Sequence, residues 1–434
     1  MIGNLKNNIG KNVVVSGHVD IIRDTKWVLF VVLRDSTGKI QLTIEKSEEK
    51  NKYIMEQLSG LAFESTLRVE GLLCNNEKVK LGGIEIIPSK IDITSRSEEV
   101  LPINVHDKDA QLIDQRIKYR WLDLRNDSNN LIFKIQSDFV KFFREYLYSL
   151  DFMEIHTPKL IGTASESGSE VFEVNYFSKK AFLAQSPQFY KQMAIASGYE
   201  KVFEVGPVFR AEKSYTNRHT TEFSGFDVEF ANIESYEYVM DLEEEMIKYS
   251  LTKLNEKYKD LILQHFGIEI NIPKEKIPRI KLSDLYNILE EKYGYVVSDL
   301  EKGDLTREGE KLSYKLAKEV YNSEFIFITD YNKENRAFYH MRKENVPQGY
   351  DLIWKGTEIT TGAQREHRYD ILEKQAKEKG LDKDVSAYLE FFKYGCNPHG
   401  GFGLGIDRLI MLLLDLPSLK ESMFVYRGPN NLNP

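Results

Sequence analysis

Three groups of residues in this chain have the types and spacing for chemistry, two on a phosphate-bearing ligand and one on a small carboxylate. The first is the run His399-Gly400-Gly401-Phe402-Gly403-Leu404-Gly405, with Arg408 one turn into the segment that follows. Glycines clear side chains from a strand, so a flat ligand can lie against bare backbone. An arginine beside it can stack on a base or grip a phosphate with two parallel N–H donors. The second group is Phe209-Arg210-Ala211-Glu212, then Arg218-His219, then Glu222-Phe223. On one hairpin loop these supply a guanidinium for phosphate, a carboxylate for an adenine amine and a ring to lie under the base. A charged hairpin tip taken alone is more often solvated surface. The third group is a pair of cations. Lys191 closes Ser186-Pro187-Gln188-Phe189-Tyr190-Lys191, and Arg365 closes Glu358-Ile359-Thr360-Thr361-Gly362-Ala363-Gln364-Arg365. Each is unremarkable alone; together they could clamp a small carboxylate.

Other chemistries are excluded by spacing and composition. The glycine run reads G-G-x-G-x-G rather than G-x-G-x-x-G, and no βαβ unit with a distal acid surrounds it. No Walker loop occurs. The 8 histidines form no HExxH and no Cys/His cluster, so no catalytic zinc is expected. No nucleophile elbow or Cys-His signature points to covalent catalysis. The 434 residues carry 59 Lys+Arg against 67 Asp+Glu, a net charge of −8. That excludes a uniformly basic coat but not a local basic groove. Cys74 and Cys396 lie far apart, which suits a reducing compartment, and a cytoplasmic protein is expected. No apolar run reaches the roughly 18 residues of a membrane span, and the first residues lack the apolar core of a signal peptide.

The elements that must position these groups follow from periodicity. Residues 1–100 read as all-β: strands over Val13–Ile22, Val28–Leu33, Ile40–Glu45, Thr66–Leu73 and Val79–Ile87, with a helical stretch from Lys46 to Leu58. Three strands, a helix and two strands is the order of an OB barrel, a fold that binds oligonucleotides; any other small barrel stays open. Residues 101–130 read as a linker of mixed charge. From Leu131, apolar residues at Ile132, Ile135, Phe139, Phe142, Phe143 and Leu147 mark a long helix. Strand-like segments follow at Phe152–Ile155, at Lys201–Phe209 with a break at Gly206-Pro207, and at Phe223–Phe230. A charged helix over Glu234–Glu256 comes next. Residues from about 257 to 345 are more irregular, with Lys- and Glu-rich helices and one strand at Phe325–Thr329. Strands around Tyr350–Trp354 and the glycine run precede a helix over Ile406–Leu414.

Taken in order, these groups resemble the three motifs of class II aminoacyl-tRNA synthetases, subclass b. The first motif corresponds to the long helix ending in Phe152-Met153-Glu154-Ile155-His156-Thr157-Pro158. The second runs from Phe203-Glu204-Val205-Gly206-Pro207-Val208-Phe209-Arg210 to Glu222-Phe223, and the third from Gly401 to Arg408. Within the subclass the chain is most similar to the aspartyl branch of archaeal and eukaryotic kind. That likeness rests on Ala164-Ser165-Glu166-Ser167-Gly168-Ser169-Glu170, Ala184-Gln185-Ser186-Pro187-Gln188 with Lys191, Phe223-Ser224-Gly225-Phe226-Asp227, and Gly362-Ala363-Gln364-Arg365.

The resemblance implies a multi-domain α+β fold. An N-terminal OB-fold anticodon domain (1–100) and a hinge (101–130) would precede a catalytic domain (131–434) with an insertion at about 257–345, built on an antiparallel sheet flanked by helices. It implies ATP-dependent formation of aspartyl-adenylate and transfer to tRNA(Asp). A ligase that also or instead charges tRNA(Asn), an asparaginyl enzyme and an inactive RNA-binding paralogue are the alternatives. By the same resemblance Arg210, Glu358 and Arg408 are catalytic. ATP is met by Arg210, Ala211, Glu212, Arg218, His219, Thr220, Phe223, Glu358, Gly405, Ile406, Asp407 and Arg408. Aspartate is met by Glu166, Gln188, Lys191, Arg210, Asp227, Thr361 and Arg365. Mg²⁺ sits on Glu358 and Thr361 with Asp351, hard oxygen donors that suit it. Phe30, Gln41 and Glu85 read the anticodon. The loop 163–170 is a candidate lid, and Pro158 with its helix a homodimer interface. The chain departs from the family at its end: Phe424-Val425-Tyr426-Arg427-Gly428-Pro429-Asn430-Asn431-Leu432-Asn433-Pro434 stands where a Phe-Pro-Arg-Asp stretch and a closing Arg-Leu-x-Pro are usual.

Overall fold

A computed structural model describes residues 1–163, 171–213 and 219–433. The chain divides into two compact units, Met1–Pro102 and Ile103–Pro434.

The first unit is a closed five-stranded barrel. Its strands are β1 (Asn12–Asp24), β2 (Val28–Asp35), β3 (Gly38–Glu45), β4 (Thr66–Asn75) and β5 (Ile84–Ser95), with helix α1 (Lys52–Leu58) between β3 and β4. The order round the barrel is β1-β2-β3-β5-β4, closing without a free edge. Alternation fills it: Leu29, Val31 and Leu33 of β2 and Ile40, Leu42 and Ile44 of β3 point inward and are buried. The fifth strand starts five residues later than the apolar pattern from Val79 suggests. Gly82 and Gly83, at φ of 82° and 74°, hold a turn there.

The second unit is built on an eight-stranded sheet. Its strands are β6 (Met153–Glu154), β7 (Lys201–Phe209), β8 (Glu222–Ala231), β9 (Arg279–Lys281), β10 (Phe325–Thr329), β11 (Gly349–Trp354), β12 (Thr357–Gln364) and β13 (His399–Gly405), in the order β9-β10-β11-β12-β13-β8-β7-β6. The pairs β6–β7 and β9–β10 are parallel; the pairs between them are antiparallel. Two long helices cover one face. Helix α2 (Asp127–Ser149) is started by the Asn126 side chain, which accepts from the N–H groups of Ser128 and Asn129. It buries Ile132, Ile135, Phe139, Phe142, Phe143 and Leu147 against the sheet. Helix α3 (Glu237–Phe266) runs ten residues past the Glu256 suggested by sequence. Tyr258 and Ile262 continue its buried face, and Gly267 at φ 70° ends it.

The other face carries the polar residues. Phe226 and Val228 of β8 lie in the core, so Asp227 and Glu229 project to the opposite side. Strand β7 does not break at Gly206-Pro207: it pairs with β8 from Lys201 to Phe209. The Phe209 N–H donates to the Ala184 carbonyl, outside the β7–β8 ladder. Pro207, of the same parity, therefore lacks its N–H on the edge where β6 no longer pairs. Residues 101–130 contain two short helices, and Arg116 and Arg120 within them are buried on Asp123.

Candidate active site

The polar face of the second sheet lines a cavity of about 310 Å³. Strands β7 and β8 carry Arg210 and Glu212 at one end of their connecting loop and His219, Thr220 and Phe223 at the other. The Arg210 guanidinium lies 5.4 Å from the Phe223 ring centre, and His219 Nε2 lies 3.8 Å from Glu212. Across the cavity, Gly405 ends β13 and opens helix α4 (Ile406–Leu413), which aims Arg408 back over the strands. Its Nη1 donates to the Glu358 carbonyl at 2.8 Å. Phe223, Arg408 and the glycine strand thus border one slot.

The glycines are dictated by their neighbours. A Cβ at Gly401 would lie 2.5 Å from Glu229 Oε2 and closer still to the Val228 carbonyl; one at Gly403 would lie 3.1 Å from Asp227 Oδ1. The bare strand makes room for two carboxylates. Both carboxylates face cations. Lys191 Nζ, on a helix over Gln188–Ala196, lies 3.0 Å from Asp227 Oδ1 and 3.3 Å from Glu229 Oε2. It also donates to the Phe402 carbonyl at 3.1 Å. Arg365 donates from Nε to Glu229 Oε1 at 3.0 Å, and from Nη2 to the Gly401 carbonyl at 2.8 Å. Burial alone would raise Glu229; Arg365 and Lys191 outweigh it and hold the carboxyl below its ordinary value. The two cations expected to clamp a ligand do converge, on Glu229. Arg365 lines the cavity; Lys191 lies beneath it, 1% exposed.

A second acidic cluster stands on β11 and β12. Thr361 Oγ1 donates to Asp351 Oδ1 at 2.8 Å and lies 3.2 Å from Glu358 Oε1. Burial, then the Asp351 charge, push Glu358 upward. Asp351 is gripped by both arms of Arg336, at 2.8 and 2.5 Å. Its oxygens are therefore engaged, and it does not line the cavity. Glu358 and Thr361 do, as two hard oxygen donors on one strand, which fits a magnesium ion.

Gln188, Asp227, Thr361 and Arg365 also line the cavity, as does Asp407. Asp407 accepts from Gln136 at 2.9 Å and from the Ser224 N–H at 3.0 Å, so it braces three elements; burial pushes it up to about 6. Thr220 Oγ1 likewise braces the loop, donating at 2.7 Å to the Arg427 carbonyl of the unusual C-terminal segment. Ala211 and Ile406 do not line the cavity, and the Ile406 side chain is core. Glu166 and Arg218 lie outside the described residues, as does the lid loop beyond Thr163. Sequence reasoning missed one wall: Asn335, Arg336, Ala337, Tyr339 and His340. The cation and aromatics packed into residues 336–340 were the available signal.

In the barrel, Gln41 on β3 pairs in register with Glu85 on β5, and Phe30 on β2 with Thr43 on β3. Glu85 Oε2 accepts from Thr43 at 2.6 Å and from Gln41 at 3.3 Å. The Arg23 guanidinium lies 4.6 Å from the Phe30 ring centre. Ring, amide and carboxylate share one outer patch.

A family model described as tRNA synthetases class II (D, K and N) matches residues 113–425. The chain is 40% identical to the aspartate–tRNA(Asp/Asn) ligase of Aeropyrum pernix, over 100% of this chain and 98% of that protein. It is 42% identical to the aspartate–tRNA(Asp) ligase of Pyrococcus abyssi, over 98% of this chain and 97% of that one. Among solved structures it is similar to asparaginyl-tRNA synthetase from Pyrococcus horikoshii complexed with asparaginyl-adenylate (TM-score 0.90, 31% identity, 99% and 97% of the two chains). It is also similar to aspartyl-tRNA synthetase from Entamoeba histolytica (TM-score 0.86, 31% identity, 99% and 91%). With the second and third motifs gathered round one cavity, the match places the chain in a family: it belongs to the class II tRNA synthetases of the D, K and N group.

Proposed function

We propose that this chain is an aspartate–tRNA ligase, joining L-aspartate to ATP as aspartyl-adenylate and transferring it to the 3′ end of tRNA(Asp). The observation that carries the reading is the buried quartet of Lys191, Arg365, Asp227 and Glu229 at the floor of the cavity. Its two positive and two negative groups balance in the free enzyme. A bound amino acid brings an ammonium, which Asp227 is placed to accept. The α-carboxylate is directed to the α-phosphorus, so at the floor the balance is restored by an anionic side chain beside Arg365. Asparagine would leave one buried positive charge unmatched, a penalty of several kcal/mol on the order of that for a broken buried pair. Shape alone would separate these near-isosteres by about 1–3 kcal/mol.

The chemistry needs little from a protein base. The aspartate α-carboxylate is already an anion; its oxygen bonds to the α-phosphorus while the bond to the β-phosphate oxygen breaks and pyrophosphate leaves. The enzyme contributes position and charge. Arg210 neutralises the α-phosphate, and Phe223 and Arg408 hold the adenine between ring and guanidinium. Glu212 takes the adenine amine, and His219 with Arg218 meets the outer phosphates. Gln188 lies beside the amino-acid end. Glu358 and Thr361 would hold Mg²⁺, while Asp351 stays with Arg336. Bound there, such an ion would supply positive charge to offset that of the phosphate oxygens. The barrel, with its strand-strand-strand-helix-strand-strand order, is read as an OB fold. Its Phe30, Gln41 and Glu85 stack on and read unpaired anticodon bases. The working form is a cytoplasmic homodimer through the segment around Pro158.

The test is charging of purified tRNA(Asp) with labelled aspartate and ATP. Acid-stable transfer to RNA supports the proposal; adenylate formation without transfer, or neither, refutes it. A second reading, that tRNA(Asn) is charged with aspartate as well, is favoured by relatives of equal similarity named for both tRNAs. Purified tRNA(Asn) in the same assay decides it.

A further inference from the structure

His340 lies in the wall that no motif marks, yet it stands beside the quartet. Its backbone pairs with that of Arg365 in an isolated antiparallel bridge, which sets imidazole and guanidinium side by side. The ring is 3% exposed and lines the cavity. Nδ1 is buried without a hydrogen-bond partner among the described residues. It packs over Gly349, where a Cβ would come within 3.1 Å of it. The ring therefore depends on that glycine. Nε2 is not among the buried unpartnered atoms, which leaves it as the ring nitrogen available to the cavity that His340 lines.

Buried polar groups in folded proteins are nearly always paired, so an unpaired imidazole at a cavity wall points to a ligand atom. Burial and the surrounding cations Arg365, Arg336, Arg342 and Lys191 keep this ring unprotonated well below the ordinary histidine range. A neutral imidazole carries its proton on one nitrogen. A proton on Nδ1 would be an orphaned buried donor, the rarer kind of defect. A proton on Nε2 faces the cavity. Arg365, which lines the same cavity, commits Nε and Nη2 to Glu229 and Gly401, and its Nη1 makes no hydrogen bond among the described residues.

Resting on the reading of the site as an aspartate pocket, we propose that His340 Nε2–H and Arg365 Nη1 each donate to one oxygen of the substrate's side-chain carboxylate, making His340 a specificity-determining residue. Two donors suit two carboxylate oxygens. An asparagine amide offers only one acceptor and turns its NH₂ against the second donor.

The experiment is ATP–pyrophosphate exchange with aspartate and asparagine on the parent, His340→Ala, His340→Gln and His340→Phe, each checked for folding by thermal melt. Gln places an amide donor near the Nε2 position, and Phe keeps the ring without a donor. The expected result is a KM for aspartate raised about tenfold in Ala and Phe and recovered toward the parent in Gln. The KM for ATP stays within about twofold, and the aspartate-to-asparagine ratio falls in Ala and Phe. His340→Phe with parental KM and ratio would overturn the inference, as would His340→Gln no better than Phe. A parent that exchanges with no aspartate at all would instead overturn the function on which it rests.

Discussion

Glu229 sets what the cations on the cavity floor can do. It is fully buried and shared by Lys191 and Arg365, so neither cation reaches the substrate as an isolated charge. Replacing it by Gln leaves two buried cations against Asp227 alone. Glu229→Gln is expected to lower unfolding stability by about 3–5 kcal/mol at pH 7, read by urea titration. The acid limb follows the same logic. A carboxyl held below its ordinary value stabilises the fold above its unfolded pKa, and that contribution is lost as pH falls through the lowered value. The parent should therefore lose stability on acidification below about pH 4.5, and the gap to Glu229→Gln should narrow there. Lys191→Met removes the opposite partner. It is expected to abolish aspartate activation while binding of ATP, measured by calorimetry, survives within about tenfold. Parental exchange in that variant would show that the floor charge is irrelevant to substrate choice.

At the scale of elements, strands with one clear chemistry were legible and those set by packing were not. The bare glycine strand, the β7–β8 hairpin and the periodic face of α2 follow from residue type. The break expected at Pro207 does not occur, because strand pairing beyond β6 is absent on the side where proline lacks its donor. The wall at 335–340 was missed for another reason: its cation and aromatics mark a packed segment but not where it packs. Its residues reach the cavity only through long-range pairing, His340 with Arg365 and Arg336 with Asp351. The sharing of Glu229 between the two cations likewise depends on β8, β12, β13 and the Lys191 helix meeting in three dimensions. Element packing also buries Glu243 of α3 behind the sheet, with one oxygen accepting from Tyr350 at 2.6 Å and the other making no hydrogen bond among the described residues. Desolvation pushes it up to about 7. A carboxyl raised in the folded state stabilises below its unfolded pKa, and that contribution is lost as pH rises through about 7. The melting temperature of the parent should fall between pH 6 and pH 8.5 by about 2 °C more than that of Glu243→Gln; equal slopes would show that Glu243 titrates normally.

For the whole molecule, the proposed function assigns the barrel and the sheet unit separable tasks. Phe30→Ala removes the ring proposed to stack on an anticodon base and should lower kcat/KM for tRNA by about ten- to a hundredfold. Exchange of pyrophosphate into ATP, which needs no tRNA, should stay at the parental rate. The central claim is that charge at the cavity floor selects a dicarboxylic amino acid. Its most direct measurement is ATP–pyrophosphate exchange by the unmodified protein, with aspartate and asparagine compared side by side at equal concentration. Exchange with aspartate at least about a hundredfold above asparagine is the expected result; exchange with asparagine equal to or above aspartate would contradict it.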